Sequence, residues 1–157
     1  MADMLVKLYE LPDLTPSLQK LQKVGVEVRR PLAPEKHVVI DWVKANFNQA
    51  WASECEVTFS NRPISSFIAT ENGAILGFSC YNATCKDFFG PTGVLESQRG
   101  RGIGQCLLLA ALHALAHDGY AYAIIGGVGP VDFYIKACNA TLIPNSSPGL
   151  YKGMLKL

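Results

Sequence analysis

Three glycines and two arginines stand in the run Arg99-Gly100-Arg101-Gly102-Ile103-Gly104, and an apolar stretch over 105–116 follows at once. Glycine has no Cβ, so the amides of such a run can come close to a ligand. The amides that open a helix lack partners within it, and the helix dipole places partial positive charge at the same end. A strand leading in, a glycine-rich loop and a helix start together make an anion site. A ligand carrying phosphates is the expected guest. The competing reading is a plain tight turn, which the same glycines would also serve.

Two familiar phosphate loops do not fit. A P-loop ends in Gly-Lys-Ser/Thr, and here Gln105-Cys106 follows Gly104. The dinucleotide fingerprint needs a third glycine three residues after the second, and its two registers meet Gln105 and Leu107 instead. What remains is Arg99-x-x-Gly102-x-Gly104 after a strand. This resembles the acyl-CoA pyrophosphate loop of the GNAT superfamily of N-acetyltransferases, patterned Gln/Arg-x-x-Gly-x-Gly/Ala. A second stretch, Phe133-Tyr134-Ile135-Lys136, is similar to the Phe-Tyr-x-Lys helix of that superfamily.

The resemblance carries expectations for particular residues. It implies that Arg99, Gly100, Arg101, Gly102, Ile103 and Gly104 hold the pyrophosphate of acetyl-CoA. It implies that the backbone around Val94 and Leu95 pairs with the pantetheine arm and polarises the thioester carbonyl. Tyr134 becomes the acid that protonates the departing thiolate. A thiolate leaves better once protonated, and a phenol with a reference pKa of about 10 lies near the thiol range. Tyr134 also reads as a core tyrosine, since Val131, Tyr134, Ile135 and Cys138 share one helical face. Two departures stand out. Gly126-Gly127-Val128-Gly129 replaces the asparagine many members carry after the next strand, and Asn139 stands where glycine is usual at the helix end.

The activity so implied is transfer of an acetyl group from acetyl-CoA, without a metal, to a primary amine of a small molecule by direct attack. A non-catalytic acyl-CoA-binding module of the same fold is the alternative. A nucleotide-binding regulatory domain is a third reading, weakened by the missing Lys-Ser/Thr. The acceptor pocket falls to residues 31–65, which carry both charge signs and Trp42, Phe47, Trp51 and Phe59. Glu54, Glu56 and Asp87 are carboxylates that could deprotonate an incoming ammonium, and each also reads as a solvated surface acid. His113 and His117 have i, i+4 spacing, but Ala114 stands where a zinc-protease helix has glutamate, so helix-end histidines are the expectation. Nothing lowers the thiols of Cys85 or Cys106, so acyl-cysteine chemistry is not expected.

Those residues need elements to position them. A short strand over 4–9 and a helix from Leu14 to Val24 open the chain, then a strand over 26–30. Pro34 and Glu35 start a helix with Val38, Val39, Trp42, Val43 and Phe47 on one face, and 48–56 reads as helical. The period then changes to two, giving strands over 65–70 and 74–81 around the turn Glu71-Asn72-Gly73. The strand over 87–94 holds Gly90-Pro91, which breaks a ladder on one side. A buried helix over 102–118, a strand over 121–125, a helix over 130–138 and strands over 141–143 and 150–155 complete the order. This is the order of the GNAT fold: an α/β (α+β) chain with a mixed, mostly antiparallel central sheet flanked by helices. Residues 1–23 then read as an N-terminal strand-helix extension, and 24–157 as the N-acetyltransferase domain. The resemblance implies a splay between two strands, which Gly90-Pro91 would tolerate; the same pair also reads as a strand that simply ends early.

Composition bounds the rest. The chain has 157 residues, enough for one domain and one core. Its content is 49% hydrophobic and 17% charged, which is globular. A net charge of +1 gives no electrostatic footprint for nucleic acid or an anionic membrane. No run reaches the roughly 18 apolar residues of a spanning helix. Acids at Asp3 and Glu10 argue against a signal peptide. Five cysteines without a Cys-x-x-Cys pair fit reduced thiols in a cytoplasm. A homodimer is compatible with this composition.

Overall fold

Residues 1–157 are described by a computed structural model. Seven strands form one sheet: β1 (Met4–Lys7), β2 (Glu27–Arg29), β3 (Ser66–Glu71), β4 (Ala74–Tyr81), β5 (Phe88–Val94), β6 (Tyr122–Ile125) and β7 (Thr141–Leu142). Their spatial order is β2-β3-β4-β5-β6-β1-β7. Every pairing is antiparallel except β5 with β6, which is parallel. Five helices flank the sheet: α1 (Thr15–Gln22), α2 (Lys36–Asn46), α3 (Gln49–Thr58), α4 (Ile103–His117) and α5 (Val131–Cys138). No helix is long and apolar enough to cross a membrane.

Local chemistry explains most of these boundaries. Asn72 and Gly73 take φ of 51° and 77°, the left-handed pair that a two-residue hairpin turn requires, and Glu71 pairs with Ala74 across it. Alternation along β4 turns Ile68's partner Phe78 and then Cys80 toward α2 and α3, while the Ser79 hydroxyl donates to the Leu107 carbonyl of α4 on the other face. The Asn48 side chain accepts from the Trp51 amide and so caps α3. Ten of the fifteen residues of α4 are buried, which is why its apolar pattern shows no polar face. It lies across β3, β4 and β5.

One core lies between the sheet and α2 with α3, built on Val39, Val43, Cys55, Phe78 and Cys80. On the other face α4 packs with α1 over Ala69 and Leu76, and with α5 over β1 and β6. Val38 is 52% exposed and falls off the apolar face expected for it.

The two ends of the chain depart most from expectation. The strand of the N-terminal extension forms, but it is an interior member of the sheet. β1 is hydrogen-bonded to β6 on one edge and to β7 on the other, with Met4 and Val6 fully buried. The following helix is shorter than its apolar spacing suggests, since Val24 lies beyond its end and is 59% exposed. No strand forms over 150–155. Gly149–Tyr151 is a single 3-10 turn, and Met154, Leu155 and Leu157 are exposed. The segment leading into that turn is tied to the N-terminus instead, with Ile143 and Ser146 bonded to Asp3 and Ser147 bonded to the amino terminus.

Candidate functional site

β5 and β6 pair for only two residues, Phe88 with Ile124 and Phe89 with Ile125. β5 then continues beside β4 as far as Val94, while β6 stops at Ile125. At the parting point Gly90 has φ of 122° and Pro91 has no N–H, so neither can extend the parallel ladder. The β4–β5 register also skips between Ser79 and Tyr81, opposite the same two residues. The sheet therefore forks, with residues 90–94 on one arm and 126–129 on the other.

The second arm is held in place by the N-terminal segment. The Gly127 amide donates to Asp3 Oδ1 at 2.8 Å, and the Val128 amide donates to the Ala2 carbonyl at 2.9 Å. These contacts give the residues flanking β1 a part in shaping the fork. Nothing in the local sequence pattern of 1–9 signals it.

On the first arm, backbone polarity is divided. The Leu95 amide donates to the Leu76 carbonyl, and the Leu95 carbonyl accepts from the Gln98 amide. Amides alternate in direction along a strand, so the amide of Val94 faces the fork. The Leu95 amide is thus spent within the protein, contrary to its expected use, while the amides of Thr92 and Val94 both point to the fork side. Gly93 sits against the Phe47 ring: a Cβ added to it would lie 2.5 Å from Cζ. That ring is fixed among Trp42, Trp51 and Phe78. Gly93→Ala is therefore expected to cost about 1–3 kcal/mol by overpacking, read as a lower urea midpoint with an unchanged slope.

The glycine loop begins where β5 ends. Glu96–Gln98 makes a 3-10 turn, and Gly100 and Gly102 both take φ of 82°. An added Cβ at either position would meet nothing within 4 Å, so both face open space. The first backbone hydrogen bond of α4 runs from the Cys106 amide to the Gly102 carbonyl at 3.1 Å. No amide from Gly100 to Gln105 donates to a backbone carbonyl. Gly104 lies inside α4, where its Cβ would meet Val94 Cγ2 at 3.6 Å and Phe133 Cζ at 3.8 Å. A row of free donors at the positive end of a fifteen-residue helix can hold a diphosphate.

The two arginines of the loop behave differently. Arg99 is exposed, and its Nε donates to the Val94 carbonyl at 3.3 Å. Arg101 turns back to the β3–β4 hairpin, donating to Glu71 Oε2 at 2.9 Å and to Gln98 Oε1 at 2.6 Å. Its charge is already matched within the protein.

Tyr134 lies on α5 and is 5% exposed. Its ring packs edge-on against Phe89, the last paired residue of β5 before the fork, with centroids 6.3 Å apart. The Tyr134 hydroxyl makes no hydrogen bond within the chain, and it is not among the sealed, unpartnered oxygens, of which Asp87 Oδ1 is the one example. Burial, with the Cys138 thiol as the lesser cause, pushes its phenol up to about 12. The helix ends as expected, with Asn139 in the left-handed conformation at φ 54°. Ile135, expected on the buried face, is 45% exposed.

The remaining candidates separate from the fork to differing degrees. His113 Nε2 is 2.8 Å from the Pro12 carbonyl. Glu56 pairs with Lys36 at 3.1 Å. Cys106 is buried against α1 and β4, with its thiol pushed up to about 11 by desolvation, whereas Cys85 is exposed. Asp87 precedes β5, and desolvation raises its carboxyl to about 6. Glu54 accepts hydrogen bonds from Thr84 and, at 3.3 Å, from Tyr151.

A profile of the acetyltransferase (GNAT) family matches residues 36–134 of the chain. No curated protein matches it. Among solved structures it is similar to the GCN5-related glucosamine N-acetyltransferase region of a fungal multi-domain GH3 β-N-acetylglucosaminidase. That likeness has a TM-score of 0.73 at 17% identity and covers 90% of this chain and 19% of that one. It is also similar to a GCN5-related N-acetyltransferase from Sphaerobacter thermophilus, with a TM-score of 0.65 at 18% identity, covering 90% of this chain and 48% of that one. The chain thus spans less than half the length of either. At these identities the likeness is one of fold.

Proposed function

The chain belongs to the acetyltransferase (GNAT) family, and we propose that it moves an acetyl group from acetyl-CoA to a primary amine of a small molecule. The observation that carries this reading is the fork between β5 and β6 opening directly beside a row of free amides at the start of α4. Acetyl-CoA, when bound, supplies the acyl group as a thioester already activated toward an amine. The amides of Gly100 to Gln105 hold its diphosphate, and Gly100 and Gly102 leave room for close approach. The Val94 amide, turned into the fork, polarises the acyl carbonyl. Tyr134 stays protonated and gives its proton to the leaving sulfur. On the 126–129 arm the amides of Gly126, Gly127 and Val128 are taken, and the Gly129 amide is the backbone donor that can stand in for the asparagine this chain lacks. Five free cysteines fit a reduced compartment, and we place the protein in the cytoplasm.

Calorimetry tests the ligand. Acetyl-CoA should bind, and neither ATP nor NAD should displace it. Displacement by NAD or ATP, with no heat from CoA, would contradict the reading. Arg101 provides a second check, because Glu71 already neutralises it and both side chains are about a third exposed. Arg101→Ala is expected to change acetyl-CoA affinity by less than about 1 kcal/mol, with most of that lost at high salt.

A further inference from the structure

Glu54 carries a charge that the protein does not answer. The ion pairs of the molecule join Lys7 with Glu10, Arg29 with Glu27 and Glu35, Lys36 with Glu56, and Arg101 with Glu71; none reaches Glu54. Three distant parts of the chain nevertheless converge around it. Thr84 comes from the β4–β5 loop, and Tyr151 from the turn at 149–151. The third is β4, onto which α3 packs through Cys55, the next residue, in one core cluster with Cys80. Cys80 is fully buried and faces α3 at the register skip opposite Gly90 and Pro91. Glu54 therefore lies on the α3 side of the sheet, between the loop that leads into β5 and the 149–151 turn, while Tyr134 packs with α4 and Phe89 on the other face.

The far side of this arrangement is closed by the C-terminal segment. Ser146 accepts from the Asp3 amide at 2.8 Å, and the amino terminus donates to Ser147 Oγ at 3.0 Å. These bonds hold 146–151 beside the fork's second arm, so that Tyr151 reaches α3. Burial, with Glu54 as the second cause, keeps the Tyr151 phenol above its ordinary value, so it serves as a neutral donor. Both groups that hydrogen-bond the Glu54 carboxylate are hydroxyls, and no cation of the chain forms an ion pair with it. A cation from outside the protein is what the site lacks.

We propose that Glu54, steadied by Thr84 and Tyr151, binds the ammonium of the acceptor on the α3 face of the fork and takes its proton. The inference rests on the acetyl-transfer reading above and selects its substrate class: an aliphatic amine that is cationic at neutral pH. Glu54 accepts one proton from the ammonium and frees the nitrogen lone pair. As the N–C bond forms, the C–S bond breaks, and Tyr134 protonates the sulfur from the opposite face. The remaining excess proton on nitrogen returns to Tyr134 through solvent, and Glu54 releases its proton to bulk. One ammonium and one thioester become one amide, one thiol and one free proton.

The test compares a protonated aliphatic amine with an aromatic amine that is neutral at the same pH, both with acetyl-CoA. Glu54→Gln should lower kcat/KM at least tenfold for the aliphatic amine and less than threefold for the aromatic one. Glu54→Asp should keep more of the preference than Glu54→Gln, and Tyr151→Phe should weaken it modestly. Acetyl-CoA affinity and melting temperature should hold in all three. Equal losses with both amines, or no loss with either, would overturn this assignment while leaving acetyl transfer intact. A wild-type protein that acetylates neither amine would overturn the underlying reading, and this inference with it.

Discussion

Tyr134→Phe is expected to lower the rate of acetyl transfer roughly 10²-fold, the scale of one acid–base group. The substitution keeps the ring against Phe89 and Phe133 and removes only the hydroxyl. That hydroxyl bonds to nothing in the protein, so melting temperature and acetyl-CoA affinity should stay close to the wild type. The loss should appear in kcat and kcat/KM together, since the proton is given only as the sulfur leaves. The pH profile adds an independent check. With the phenol raised to about 12, the acid form persists through the alkaline range, so no fall in rate from Tyr134 ionisation should begin near 10. A variant that melts lower yet turns over normally would return Tyr134 to the status of a core residue.

Gly102→Val should have the largest effect on binding. Gly102 sits at φ 82° just before α4, where a β-branched residue is strained by about 1–3 kcal/mol. A Cβ built there would meet no heavy atom within 4 Å, so the added bulk enters open space beside the free amides. Calorimetry with acetyl-CoA should show at least about a tenfold weaker complex, equivalent to roughly 1.4 kcal/mol. Gly102→Ala should weaken it less, because the conformational cost remains but less volume is added. Since no neighbour clashes, the folded state should survive both changes. Unaltered affinity in Gly102→Val would show that the loop does not carry the ligand.

How legible all this was in sequence depends on how local each cause is. The Asn72-Gly73 turn, the glycine loop and the α4 core follow from φ preferences and apolar period, so residues near each other in the chain announce them. Gly90-Pro91 marked the fork correctly because the loss of a donor is a property of the residue itself. The place of β1 was not legible. A four-residue apolar strand fits several edges, and only the full set of competing partners decides which one it takes. The strand expected over 150–155 gives way to bonds between 143–147 and residues 1–3, partners far apart along the chain. The Leu95 amide was lost to Leu76 through register, which sequence leaves open. Glu54 looked like one surface acid among several. Its setting arises from Thr84 and Tyr151, thirty and ninety-seven residues away along the chain.

The most direct measurement is product formation. The wild-type protein is incubated with acetyl-CoA and a panel of small primary amines, while free thiol is followed and each amine is weighed by mass spectrometry. One acetylated amine is expected for each thiol released, at a rate well above hydrolysis without acceptor. Tight binding of acetyl-CoA with no acetylated amine anywhere on a broad panel would contradict it, and would leave the protein a module that holds acyl-CoA without transferring its acyl group.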